Sequence, residues 1–131
     1  MKIPSSTFAL FGAAIIFVIG LIGFAVFRGT APSQYDSFAQ CLTDKGVTMY
    51  GAWWCPHCQN QKNLFGTSFK KVKYIECSPN QTKTMSEQCQ NDGIEGYPTW
   101  VFADGTKVSG EQTLEFLAEK SECELPSTSS R

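Results

Sequence analysis

Residues 50–66 read YGAWWCPHCQNQKNLFG, and two backbone patterns meet inside them. Upstream, residues 47–53 (VTMYGAW) have the β-branched and aromatic composition of a buried strand. Downstream, Pro56 suits the first turn of a helix, expected over residues 56–65. Cys55 and Cys58 therefore stand where a strand becomes a helix. A thiol at a helix N-terminus faces unpaired backbone N–H groups and the positive end of the helix dipole, both of which favour thiolate. This assigns Cys55 as a nucleophile and Cys58, one turn further on and more buried, as a resolving thiol. Pro56 stiffens the turn. His57, the single histidine of the chain, offers an imidazole that can donate to or charge-pair with the thiolate, against the plainer reading of a solvated surface residue. The other reading of the cysteines is a structural bond or half a zinc knuckle. Zinc would need two more ligands at knuckle spacing, but Cys77 and Cys89 are twelve apart and no second CxxC exists, so no metal is expected.

Working outward, Tyr35, Phe38, Ala39 and Leu42 recur at i, i+3, i+4, i+7, one apolar helical face that Gly46 is placed to end. Cys41 lies well off that face, toward solvent. Residues 72–76 (VKYIE) read as a strand, and Thr84 with Glu87 has the form of a capping box for a helix stopped by Gly93. Residues 99–103 and 106–109 flank Asp104-Gly105, a strong hairpin signal, and a last helix is expected over 113–120. The order of elements implies an α/β sandwich with one central sheet.

The chain of 131 residues has room for one domain, and 42% hydrophobic residues can fill one core. A net charge of −1, from 11 basic and 12 acidic residues, leaves no basic patch for phosphate backbones, which argues against nucleic acid as a partner. Six cysteines in so short a chain suit pairing in an oxidising compartment. Cys77 and Cys89 bracket a loop that a structural or relay disulfide can close; six cysteines allow 15 connectivities, and the partners of Cys41 and Cys123 stay open.

Residues 8–27, FALFGAAIIFVIGLIGFAVF, carry no charge for 20 residues, enough at about 1.5 Å each to span roughly 30 Å of hydrocarbon. A cleaved signal is the alternative, but its apolar stretch is shorter, and the small-x-small site Gly23-Phe24-Ala25 lies inside the run. The expected organisation is an anchor over 1–28, a linker over 29–34, a folded domain over 35–124 and a frayed tail over 125–131. Lys2 and the amino terminus favour N-in against Arg28 at the far end, and the cysteines favour an extracytoplasmic domain, giving a single-pass protein of the cell membrane.

The element order and the words WCPHC and GYPTW (residues 96–100) resemble the thioredoxin superfamily. With the later IEC (residues 75–77), the likeness over residues 38–117 looks closest to the thioredoxin-like domain associated with bacterial and plant homologues of vitamin K epoxide reductase. The resemblance implies a thioredoxin fold and thiol-disulfide oxidoreductase activity on thiol-containing protein substrates, with a redox-active disulfide and no other cofactor. It implies that Pro98 is the cis-proline lying against the CxxC, beside which Trp54, Tyr97 and Thr99 are expected to meet substrate; Trp53, Trp54, Tyr97 and Trp100 are core or rim aromatics on the plain reading, and around a CxxC they would give an apolar landing surface. The fused relatives carry a multi-span quinone-reducing domain in the same chain, so here a quinone-linked membrane oxidase is expected in trans. Thioredoxin-fold copper chaperones use a CxxxC and a remote histidine, neither of which is present. Many thioredoxins also place a buried acid six residues before the nucleophile to take the resolving thiol's proton; here that position is Met49. This departure and the CPHC centre point to a protein-disulfide oxidant, the alternatives being a reductase or isomerase using the same site, or a binding module with structural cysteines.

Overall fold

The computed structural model describes the backbone of residues 5–29 and 33–127 and the side chains of residues 11–25 and 33–127. The chain divides into two units, Met1–Pro32 and Ser33–Arg131. In the first, helix α1 runs Ser5–Gly29. Its large apolar side chains from 11 to 24 are between 51% and 73% exposed. The side chains of 8–10 and 26–27, both ends of the expected span, lie outside the described residues. Among the described residues no helix is long and apolar enough to cross a membrane.

The second unit is built on a four-stranded sheet in the order β2-β1-β3-β4, with β1 Thr48–Gly51, β2 Lys73–Glu76, β3 Thr99–Val101 and β4 Lys107–Ser109. β1 runs parallel to β2 and antiparallel to β3, and β3 and β4 form an antiparallel hairpin. The helices are α2 Asp36–Asp44, α3 Pro56–Phe65, α4 Glu87–Asn91 and α5 Leu114–Ser121. Successive residues of a strand face opposite ways. Met49 accordingly joins the main core with Phe38 and Leu42 of α2, Phe65 of α3, Trp100 of β3 and Leu117 of α5. Tyr50 joins a smaller cluster with Cys77, Cys89 and Ile94.

Local chemistry sets the element ends. Gly46 follows α2 at φ +77°, and Gly105 turns the hairpin at φ +81° while Asp104 Oδ1 accepts the Thr106 amide at 2.8 Å. Thr113 caps α5 by accepting from the Phe116 amide. The cap of α4 is Ser86, which accepts the Cys89 amide, and not Thr84. The reason is tertiary: the Ser86 amide donates to the Cys77 carbonyl at 2.8 Å, so the helix starts where the loop rejoins Cys77. The strand expected over 47–53 stops at Gly51, because the Cys55 amide turns back to the Ala52 carbonyl and the Trp53 amide donates to the Glu76 side chain.

Two disulfides brace the unit. Cys77–Cys89 closes a loop of 12 residues against the smaller core. Cys41–Cys123 ties α2 to the segment after α5 across 82 residues, so Cys41 is half-buried and bonded rather than exposed. Cross-linking removes more chain entropy from the unfolded state as the loop lengthens, so the long bond stabilises more. Replacing Cys41 and Cys123 by serine should lower the unfolding free energy of the full chain by about 4 kcal/mol, against about 3 kcal/mol for Cys77 and Cys89. Urea titration of the two double variants checks the order, and a larger loss from the short loop would contradict it.

Candidate active site

The site begins where β1 gives out. The chain makes one turn through Ala52 to Cys55, whose extended backbone (φ −83°, ψ 115°) places it at the N-cap of α3 with Pro56 in the first helical position. Cys55 Sγ occupies the place of a capping oxygen and accepts the Cys58 amide at 3.3 Å. Cys55 and Cys58 are free thiols, Cys55 at 5% exposure and Cys58 at 0%.

The floor under Cys58 is Gly51. A β carbon there would lie 3.0 Å from Cys58 Sγ, 3.0 Å from Tyr74 Cε2 and 3.1 Å from Tyr74 Oη, so only glycine lets the thiol sit this deep against the sheet. Depth has an electrostatic consequence. Burial, first, and then the hydrogen bond and charge of Cys55 push the Cys58 thiol up from 9.0 to about 12, with the Ala52 backbone and then the Lys62 ammonium pulling the other way. Cys58 is thus held protonated over the physiological range, and Cys55 is the sulfur available to attack.

Across the site the Tyr97-Pro98 peptide bond is cis, and the Tyr97 carbonyl lies 3.8 Å from Cys55 Sγ. Trp54, 36% exposed, meets the Tyr97 ring edge-on at 6.0 Å and donates from Nε1 to Ser78 Oγ at 3.1 Å. Trp53, 46% exposed, donates to the Thr82 carbonyl, so both indoles are held by the loop that Cys77–Cys89 closes. Both cysteines of that bond are fully buried in the smaller core.

Three assignments from sequence change here. Thr99 is 2% exposed, with its hydroxyl donating to the Gly96 carbonyl at 2.8 Å, so its side chain faces the fold. Trp100 is fully buried, with Nε1 donating to Gln61 Oε1, and belongs to the core rather than to a landing surface. His57 Nδ1 pairs with Glu111 Oε1 at 2.6 Å, and no hydrogen bond joins the ring to Cys55 Sγ. Asn60 donates to the same carboxylate oxygen, and these two contacts, His57 first, hold the Glu111 carboxyl below its usual range. Sequence reading missed Gly51, Lys62, Tyr74, Glu76, Ser78 and Glu111. The period-two alternation of KYIE was the available signal for Tyr74 and Glu76 sharing one face. Among the described residues no three or more His, Cys, Asp or Glu side chains converge as a metal site.

A paired thiol at a strand-to-helix junction opposite a cis-proline, on this sheet order, defines a thioredoxin-type site. The sequence profile described as Thioredoxin matches residues 29–122, and the chain belongs to the thioredoxin family. It is similar to thiol-disulfide oxidoreductase LTO1 of Arabidopsis thaliana, 41% identical over 87 residues, covering 63% of this chain and 23% of that protein. It is also similar to protein disulfide isomerase-like 2-1 of Oryza sativa subsp. japonica, 35% identical over 75 residues, covering 50% of this chain and 20% of the relative. Protein disulfide isomerase-like 2-2 of the same plant is 33% identical over 86 residues, with 58% and 23% covered. The chain thus spans about a quarter or less of the length of these curated relatives.

The raised Cys58 thiol has a stability consequence whose sign is fixed. Between 9.0 and about 12 the unfolded chain has released this proton while the reduced native chain keeps it. The contribution is complete below 9.0 and lost as pH rises through about 12, and the oxidised chain, lacking the thiol, shows none of it. The melting temperature of the reduced chain should therefore fall relative to the oxidised chain over that window. Iodoacetamide at about pH 8 should give one adduct, on Cys55. Modification of Cys58 first, by peptide mapping, would contradict the assignment.

Proposed function

We propose that this chain is a membrane-anchored, extracytoplasmic thiol-disulfide oxidoreductase that oxidises protein thiols and passes the electrons to a quinone-linked membrane oxidase of the vitamin K epoxide reductase kind. The observation that carries the redox reading is Cys55 Sγ at the N-cap, accepting the Cys58 amide, beside a fully buried second thiol and the Tyr97-Pro98 edge. In the oxidised state the two sulfurs are bonded. A substrate thiolate attacks Cys55 Sγ, the Cys55–Cys58 bond breaks, and Cys58 departs with the electron pair and takes up a proton. A second substrate thiolate then attacks the substrate sulfur of the mixed disulfide, and Cys55 leaves as thiolate. The substrate has gained a disulfide and the site a dithiol, which the membrane oxidase reoxidises.

The oxidising direction is supported by the amide donated to Cys55 Sγ and by the helix end behind it, which stabilise negative charge on that sulfur and hence the reduced form. Trp54 and Tyr97 form the apolar edge that receives substrate, with Pro98 and Pro56 fixing the two walls. The apolar, exposed side chains of α1 from 11 to 25 support an anchor over residues 8–27, and two disulfides support an oxidising compartment outside the cytoplasm. The similarity to two protein disulfide isomerase-like proteins favours isomerisation as the second reading.

Equilibration of the full chain with glutathione buffers, read by the fluorescence of Trp53 and Trp54, measures the direction. The expected potential is about −120 to −200 mV, and a value at or below about −270 mV would make the chain an electron donor. Reporter enzymes fused after Arg131 should be active only outside the cytoplasm; activity confined to a cytoplasmic reporter would overturn the topology.

A further inference from the structure

We propose that Tyr74 and Glu76 form the proton wire of the buried thiol Cys58, with Tyr74 Oη as the relay and the Glu76 carboxylate as the terminal acceptor. The proposal deepens the redox reading of Cys55 and Cys58 and rests on it. Met49 is fully buried, is the cross-strand partner of Tyr74, and has no group that accepts a proton. β2 supplies what β1 lacks. Alternation puts Tyr74 and Glu76 on one face, and the register sets Glu76 beside Gly51. Cys58 Sγ and Tyr74 Oη both approach the missing β carbon of Gly51, at 3.0 and 3.1 Å, so it is the glycine that leaves the space between thiol and phenol open.

The phenol is oriented for relay. Its one proton is committed to Glu76 Oε2 at 2.8 Å, which leaves its oxygen lone pairs to accept. Glu76 Oε1 is fixed by the amides of Trp53 at 3.1 Å and Ser78 at 2.9 Å. Lys62, one turn after Cys58 on α3, sets its ammonium 3.9 Å from the Tyr74 ring centroid. Glu76 is only partly buried, so the end of the wire reaches water. The titratable groups around Cys58 are Cys55 and Lys62 from α3, Tyr74 and Glu76 from β2, and Tyr97 before β3; β1 contributes only neutral residues.

The step balances. When a mixed disulfide on Cys55 is resolved, the Cys58 thiol gives its proton to Tyr74 Oη as the phenol's own proton passes to Glu76. The freed electron pair on Cys58 forms the bond to Cys55 Sγ, the bond from Cys55 to the substrate sulfur breaks, and that sulfur departs with the pair and takes a proton from water. In the oxidising direction the same atoms run backwards, and the wire delivers a proton to Cys58 as it leaves.

Stopped-flow reaction of the full-length reduced chain with 5,5′-dithiobis(2-nitrobenzoate) separates the events, since attack by Cys55 releases one coloured thiolate and resolution by Cys58 a second. Tyr74→Phe keeps the ring beneath Lys62 and removes only the relay oxygen. It should leave the first phase within about twofold and slow the second about 100-fold. The second phase should then climb about tenfold per pH unit, because it now waits for preformed thiolate, while the wild-type profile is shallower. Glu76→Gln should act in the same direction; if circular dichroism shows it unfolded, Tyr74→Phe decides. Second phases within about twofold of wild type, or both phases slowed together, would overturn the wire and leave the redox pair standing. A wild-type chain with no first phase would overturn the redox reading itself.

Discussion

The seating of the Cys58 sulfur against Gly51 is the constraint on which the rest of this site depends. A side chain at 51 would meet both the thiol and the Tyr74 ring, so its absence lets α3 lie close on β1. That closeness buries Cys58, and burial keeps its proton on and divides the labour between two cysteines three residues apart. Cys55, at the helix end, is the more exposed of the two, and Cys58 is fully buried behind it. The same closeness brings β2's polar face within reach of the buried sulfur.

The walls of the site are held from elsewhere in the chain. The Cys77–Cys89 loop holds both indoles, through Ser78 for Trp54 and Thr82 for Trp53. Opposite, the loop before α5 brings Glu111 to His57 and Asn60, while Gln61 receives the Gln112 amide at 2.6 Å and the Trp100 indole. α3 is therefore pinned to the segment that follows the hairpin. This gives His57 a fixed partner in Glu111 rather than in Cys55.

What was legible in the sequence was local. The bounds of α3 follow from Pro56 and from the apolar residues behind it, and the glycines at 46 and 105 end their elements where left-handed backbone is required. What was not legible depends on register and on contacts between distant residues. That Tyr74 lies beside Met49 follows from how β2 aligns with β1, which no local spacing states. The partner of Cys41 is 82 residues away, and that of His57 is 54. Thr99 followed the cis-proline in the right order, yet the Gly96 carbonyl captures its hydroxyl and turns it into the fold. Thr84 and Glu87 made a sound capping signal, but the hydrogen bond from Ser86 to Cys77 moved the helix start by two residues.

The central claim is that Cys55 alone makes the bond to an incoming sulfur and Cys58 alone releases it. The most direct test is to mix the full-length Cys58→Ala chain with a disulfide-containing peptide and weigh the product by intact mass spectrometry. The account predicts one peptide held on Cys55 in a bond that persists until a reductant is added, and no adduct on the Cys55→Ala chain. Equal capture by the Cys55→Ala chain, or no capture by the Cys58→Ala chain, would contradict it.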